Sequence, residues 1–162
     1  MNKFQKMTII KIAIVGGRDF INYDMLCDKM NWVLSNLKKR DSSVIIETLD
    51  GGAMGADELG KKWAEANGLK VHHYPADWKK YGNSAGQIRN KEMAHEADVV
   101  VAFWDEQSPG TGNMIKTSNK LGKMVIVQKY DILTNKYKYL LTDLDLIKAK
   151  KEYLASKLKF LK

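Results

Sequence analysis

Three glycine-rich segments carry the chemistry that this sequence offers: Gly16-Gly17-Arg18-Asp19, Gly51-Gly52-Ala53-Met54-Gly55-Ala56-Asp57 and Ser108-Pro109-Gly110-Thr111-Gly112. A glycine lets the backbone approach a phosphate closely, because no Cβ intervenes. A helix that starts directly after such a loop adds unpaired N–H groups and the positive end of its dipole. One loop of this kind is only a tight turn; three that converge define a pocket for an anion. Arg18 and Arg89 are the side chains suited to a phosphate or carboxylate, since guanidinium donates two parallel hydrogen bonds. Arg89, next to Asn90, falls near the start of an expected helix, where a cation opposes the dipole and a bound anion would compensate it.

Asp19, Asp57 and Asp105 accompany the three loops and have the chemistry to hold ribose hydroxyls. Asp57 would serve equally as an acid in the first turn of a helix. Trp78, Tyr81 and Trp104 lie on loops of the same edge, where each either stacks on a base or packs at the rim. His72-His73 leaves a strand without a matched ligand, so no metal site is expected there. The familiar fingerprints are absent. There is no G-x-x-x-x-G-K-[ST] of a P-loop ATPase, no G-x-G-x-x-G of an ordinary NAD site and no G-x-S-x-G hydrolase elbow.

The elements that must position these residues alternate along the chain. Apolar runs predict strands over residues 9–15, 44–49, 69–74, 98–103 and 124–127. Asn22 is placed to cap a helix over 23–40, with Leu26, Met30, Val33, Leu34 and Leu37 on one face. A second helix over 56–67 turns Leu59, Trp63 and Ala66 inward and stops at Gly68. A long polar loop spans 77–84. Helices follow over 85–96 and up to Leu121-Gly122, and an amphipathic helix is expected over 143–161. The pattern predicts an α/β fold: a Rossmann-like parallel sheet of about five strands with helices on both faces, plus a C-terminal helix. In such a sheet ligands bind beyond the carboxyl ends of the strands, near the switch in strand order, and every glycine loop falls at such an end.

With 162 residues, 44% apolar and 28% charged, the chain can bury one complete core and is not disordered. Residues 1–127 form the Rossmann-like domain and 128–162 a basic extension that packs on it or extends it. The formal net charge of +8 invites a nucleic-acid reading. Its distribution matters more: residues 128–162 hold nine lysines against four acids, the rest eighteen lysines and arginines against fifteen acids. A solvated lysine-rich helix face is the ordinary reading of such a stretch. Cys27, the single cysteine, forms no internal disulfide and suits a reducing cytosol. No apolar run reaches the ~20 residues of a membrane span, and Lys11 interrupts any signal-peptide core. A cytoplasmic protein away from membranes is expected.

Taken in order, Gly16-Gly17-Arg18-Asp19-Phe20, Gly51 to Asp57, Ala76-Asp77-Trp78, Tyr81-Gly82, Ala85-Gly86, Arg89-Asn90 with Met93, Ala97-Asp98 and Ser108-Pro109-Gly110-Thr111 resemble the SLOG superfamily. The similarity is greatest to the small stand-alone YspA-related proteins of bacteria and phages and covers about residues 9–127. It implies a Rossmann-like fold and a nucleotide or nucleotide-derived ligand, ADP-ribose-like molecules included, held without a cofactor or metal in a homo-oligomer (a dimer or higher). The ligand contacts it implies are the loop residues Gly16, Gly17, Arg18, Asp19, Gly51, Gly52, Ala53, Gly55, Asp57, Ser108, Gly110 and Thr111, with Arg89, Asn90 and Trp104.

Two relatives within the superfamily pull the function apart. The Lonely Guy phosphoribohydrolases cleave the N-glycosidic bond of nucleoside monophosphates and carry R-K-x-x-M and P-G-G-x-G-T-x-E-E motifs. Arg89 and Met93 match the first motif and Gly110-Thr111 part of the second, but Asn113 and Met114 occupy the glutamate positions. An amide or a thioether cannot replace a carboxylate in acid–base catalysis. Hydrolysis would then need Arg89 together with Glu106 or Asp105. The DNA-processing protein of transformation binds single-stranded DNA, a reading that the basic extension keeps open. The resulting expectation is a nucleotide-ligand sensor or sequestering protein of bacterial or phage conflict. An N-glycosidase and a single-strand binder are the alternatives.

Overall fold

The computed structural model describes residues 6–136 and six further positions between 148 and 158. The helix expected over 143–161 falls, but for those six positions, outside the described residues. Five strands form one sheet: β1 (Ile9–Gly16), β2 (Ile45–Asp50), β3 (Lys70–His73), β4 (Val99–Trp104) and β5 (Met124–Lys129). The spatial order is β3-β2-β1-β4-β5 and every pairing is parallel. The Rossmann-like α/β architecture expected from the alternation is thus present.

Side-chain alternation explains why both faces are covered. Ile12 and Ile14 of β1, with Val99, Val101 and Phe103 of β4, point into one apolar cluster. Their neighbours Ala13, Val15, Val100 and Ala102 point into the other. Strands buried on both faces read as near-continuous apolar runs, which is how β4 reads throughout and β1 reads after Lys11. The first cluster lies under α1 (Tyr23–Arg40) and α2 (Ala56–Ala66). The second holds residues of α4 (Ala85–Glu96) and α5 (Pro109–Lys120).

Asn22 caps α1 as expected, accepting from the Met25 N–H at 3.0 Å, and Leu26, Met30, Val33 and Leu37 are buried. In α2 the inward phase differs from the sequence reading. Ala66 is exposed, and the buried residues are Ala56, Asp57, Gly60, Trp63 and Ala64. The reason is close packing: a Cβ on Gly60 would stand 2.6 Å from Ile14 Cγ2, so α2 turns its glycine onto β1. The stretch 77–84, read as a loop, contains a short helix α3 (Trp78–Tyr81) and a 3-10 turn over Gly82–Ser84. The Asp77 side chain creates α3 by accepting from the Lys80 N–H at 3.0 Å.

After β5 the chain returns to the first loop through α6 (Ile132–Lys136). Tyr130 is buried against Phe20, which stacks on Phe103 with ring centroids 4.9 Å apart. Asn135 Oδ1 accepts from the Ile21 and Asn22 N–H groups at 2.7 and 3.2 Å. Its Nδ2 donates to the Asp19 carbonyl at 2.9 Å. Asn22 Nδ2 answers by donating to the Thr134 carbonyl at 2.7 Å.

Candidate ligand-binding site

The order β2-β1-β4 places the switch point between β1 and β4, because the chain leaves these strands toward opposite faces of the sheet. The three glycine loops meet at that edge. Two adjoining cavities open there, of about 220 and 330 Å³. Arg18, Ala53, Trp78 and Arg89 line both. The first extends past Gly16 and Asp57 to Asn90, Ser108, Gly110 and Thr111. The second extends past Gly51 and Gly52 to His73 and Pro75. A third hollow is lined by Gly17, Arg18, Asp19, Asp105 and the start of α5.

The loop after β1 is held from two sides. Gly17 donates to the Phe103 carbonyl at 3.1 Å, and its own carbonyl accepts from Phe20 and Ala56 at 3.2 Å each. Asp19 Oδ1 accepts from the Tyr130 hydroxyl at 2.6 Å, so this carboxylate is already engaged. Burial and Asp19 together push the tyrosine well above its ordinary pKa. Arg18 is exposed and reaches all three hollows.

The loop after β2 is built on two buried carboxylates. Asp50, 4% exposed, accepts from the Gly52 N–H at 2.9 Å and meets His73 Nδ1 at 2.8 Å. Gly55 lines none of these three cavities; it starts α2 at φ 78° and packs on the Gly17 and Arg18 backbone. Asp57, 5% exposed, faces the first cavity and accepts weakly from the Ala53 N–H at 3.4 Å. It stands both in the first turn of α2 and at the wall of that cavity. Burial pushes its carboxyl up to about 7; the Arg89 guanidinium pulls it back down and Asp50 adds to the rise. Arg89, one turn into α4, donates Nη1 to the Gly51 carbonyl and Nε to Asn90 Oδ1 at 3.0 Å. Asn90 donates in turn toward the Gly110 carbonyl at 3.4 Å. Arg89 and Asn90 thereby bridge the second and third glycine loops.

The loop after β4 contains the acids that hydrolysis was expected to use, and it employs them elsewhere. Asp105 Oδ1 accepts from the Gln107 and Ser108 N–H groups at 2.9 and 2.7 Å. Glu106 sits at φ 64° and pairs with Lys129 at 2.6 Å, lining none of these cavities. Trp104 donates Nε1 to the Ser108 carbonyl at 3.0 Å and packs beside Gly112, also away from the cavities. Trp78, half exposed, is the aromatic residue that lines both main cavities; Tyr81 lines neither.

Sequence reasoning missed Asn83, Gln87 and Met114, which line the first cavity, and the partners of the two histidines. His72 meets Glu47 at 2.7 Å and His73 meets Asp50 at 2.8 Å. The parallel register of β2 and β3 sets His73 beside Asp50 at the strand ends.

The Asp57 environment makes a prediction about stability. A carboxyl whose folded pKa is about 7 against an ordinary 3.8 binds its proton more tightly in the fold. Its contribution is unperturbed below the lower value and is lost as pH rises through the window between them. Asp57→Asn should remove that loss. Thermal denaturation at mildly acidic and mildly alkaline pH is expected to show the variant gaining on the wild type as pH rises. An equal difference at both pH values would contradict the assignment.

The architecture and its loops define a Rossmann-like α/β protein with two adjoining cavities at the topological switch point. Within that class residues 10–81 of the chain are similar to the YspA, cpYpsA-related SLOG family, whose model matches them. The match takes in β1 to β3 and the first two glycine loops. The chain is also similar to the Gene 61 protein of Mycobacterium phage D29, 38% identical over 82 residues. That alignment covers 47% of this chain and 66% of the phage protein, a little under two thirds. No solved structure matches the chain significantly. The family points to a nucleotide-related role. Among the described residues no helix is long and apolar enough to cross a membrane.

Proposed function

We propose that the pocket binds a nucleotide or nucleotide-derived ligand, ADP-ribose-like or cyclic-nucleotide-like. The protein would act in the cytoplasm, as a homo-oligomer, to sense or sequester that ligand in bacterial or phage conflict. One observation carries the reading: three glycine loops and two arginines, Arg18 and Arg89, converge on adjoining cavities. Shared walls suit a ligand with a phosphate between two arms, the phosphate at the arginines and an arm in each cavity. Asp57 and the Trp78 ring offer contacts for a ribose hydroxyl and a base face.

Thermal-shift measurements against AMP, ADP-ribose and cyclic oligonucleotides test the reading. Ligand at a hundredfold excess over Kd stabilises by ~2.7 kcal/mol, a rise in melting temperature that is easily read. A flat response to millimolar ligand across the panel would overturn the proposal.

Hydrolysis of an N-glycosidic bond is the second reading. Glu106 and Asp105 are otherwise engaged, so what favours it is a different pair, Asp50 and His73, at the cavity wall. Single-strand binding would rest on the lysines of residues 128–162, most of which lie outside the described residues.

A further inference from the structure

We propose that this pocket takes up its anionic ligand together with a proton, which the buried carboxyl of Asp57 holds beside the bound phosphate. The inference rests on the nucleotide reading of the pocket and goes beyond it by setting the charge state in which the ligand is held.

The geometry begins in the loop after β2. Asp57 stands in the first turn of α2 and lines the first cavity, yet the residue is only 5% exposed. Gly51 lets it meet Arg89: a Cβ on that glycine would stand 2.7 Å from Asp57 Oδ2 and 2.9 Å from Arg89 Nη1. Carboxyl and guanidinium thus share the space over one bare Cα. The guanidinium is nevertheless engaged elsewhere, Nη1 with the Gly51 carbonyl and Nε with Asn90 Oδ1. The bond that Asp57 receives from the Ala53 N–H is long, at 3.4 Å. A carboxylate so buried and so thinly bonded is poorly compensated, and a proton removes its charge at less cost.

The charges that face Asp57 come from several elements. Arg89 of α4 favours its ionised form, and Asp50 at the end of β2 opposes it. Arg18 of the loop after β1 lines the same cavity, and His73 of β3 lines the adjoining one. Glu58, its neighbour on α2, is exposed. Burial outweighs these and brings the carboxyl to about 7. A phosphate at Arg18 and Arg89 adds negative charge to the same wall and draws on the cation that favoured ionisation. Both changes raise the carboxyl further. Below neutral pH the proton is already in place and affinity is level. Above it each ligand bound must bring a proton from solvent, so affinity falls as pH rises. The acid form also offers an O–H that a phosphoryl oxygen can accept, whereas a carboxylate only accepts.

The test titrates ADP-ribose and cyclic AMP into the full chain by calorimetry. Their phosphodiester groups do not titrate in this range, unlike a phosphomonoester, whose second pKa is ~6. Wild-type affinity is expected to fall ~10-fold between about pH 6 and about pH 8.5. On the alkaline side, heats measured in two buffers of different ionisation enthalpy should show proton uptake approaching ~1 per ligand. Asp57→Asn keeps the shape and removes the titration, so its affinity should not change with pH and no proton should be taken up. Histidine is the other side chain that titrates near neutral pH. His73→Gln should therefore keep the alkaline loss, whatever its affinity. Melting curves check both variants; should Asp57→Asn not fold, the two-buffer measurement on wild type decides. Wild-type binding that is equal at both pH values and takes up no proton overturns the proposal and leaves the nucleotide reading standing. A pH dependence that survives in Asp57→Asn and vanishes in His73→Gln overturns it as well. No binding of either ligand at millimolar concentration and either pH removes the nucleotide reading and the proposal together.

Discussion

Replacing Arg89 with alanine is expected to weaken binding of AMP and ADP-ribose by about tenfold or more while leaving the chain folded. The guanidinium lines both cavities, and a charge-assisted pair with phosphate contributes ~1.5–3 kcal/mol, which is about tenfold to more than a hundredfold in affinity. The fold is expected to tolerate the loss for two reasons. Arg89 is only partly buried, and its bonds run to Gly51 and Asn90, which line the second and first cavities. Asp57 loses the cation that holds its pKa down, so it stays protonated rather than stranded as a buried charge. Isothermal titration and a melting curve measure the two halves of the expectation. Lys39→Ala, at the exposed end of α1, is the control and should bind normally. Normal binding by Arg89→Ala would move the functional site away from this pocket.

Gly52→Val is expected to lose both ligand binding and several degrees of melting temperature. Gly52 sits at φ 74°, a region in which a β-branched residue is strained by ~1–3 kcal/mol. An added Cβ would also stand 2.8 Å from His73 Cε1. The sequence alone suggests that this glycine leaves room for a phosphate; the structure shows that the room borders an imidazole. The valine must therefore displace His73 from Asp50 or twist the loop that both cavities share. Melting curves and titration with the same ligands read the two effects. A variant that melts and binds like wild type would mean that the loop's conformation is unimportant to the pocket.

What was legible in the sequence is what local chemistry encodes. β4, and β1 after Lys11, read as apolar runs because both faces of the sheet are covered. α1 could be bounded by its Asn22 cap and its apolar stripe. The three glycine loops read at strand ends lie beside the cavities, and Arg89, read near a helix start, lines the two main ones. What escaped was set by partners distant in sequence. The partners of His72 and His73 come from β2, more than twenty positions earlier, and depend on a register that no local pattern states. Glu106 was an available acid until Lys129 claimed it. The inward phase of α2 was set by one glycine packing on Ile14, and α3 by a single side-chain cap at Asp77.

The clasp of Tyr130 and Asn135 on the loop after β1 joins residues 111 to 116 positions apart. A ribosome delivers the glycine loop early and its clasp late. Until synthesis has passed Asn135, Asp19 has no tyrosine to hold it, and the Ile21 and Asn22 amides have no acceptor from α6. A nascent chain thus carries every glycine of the pocket before it carries the means to fix the first of those loops. A fragment that stops short of Asn135 would carry that first loop without the hydrogen bonds that fix it.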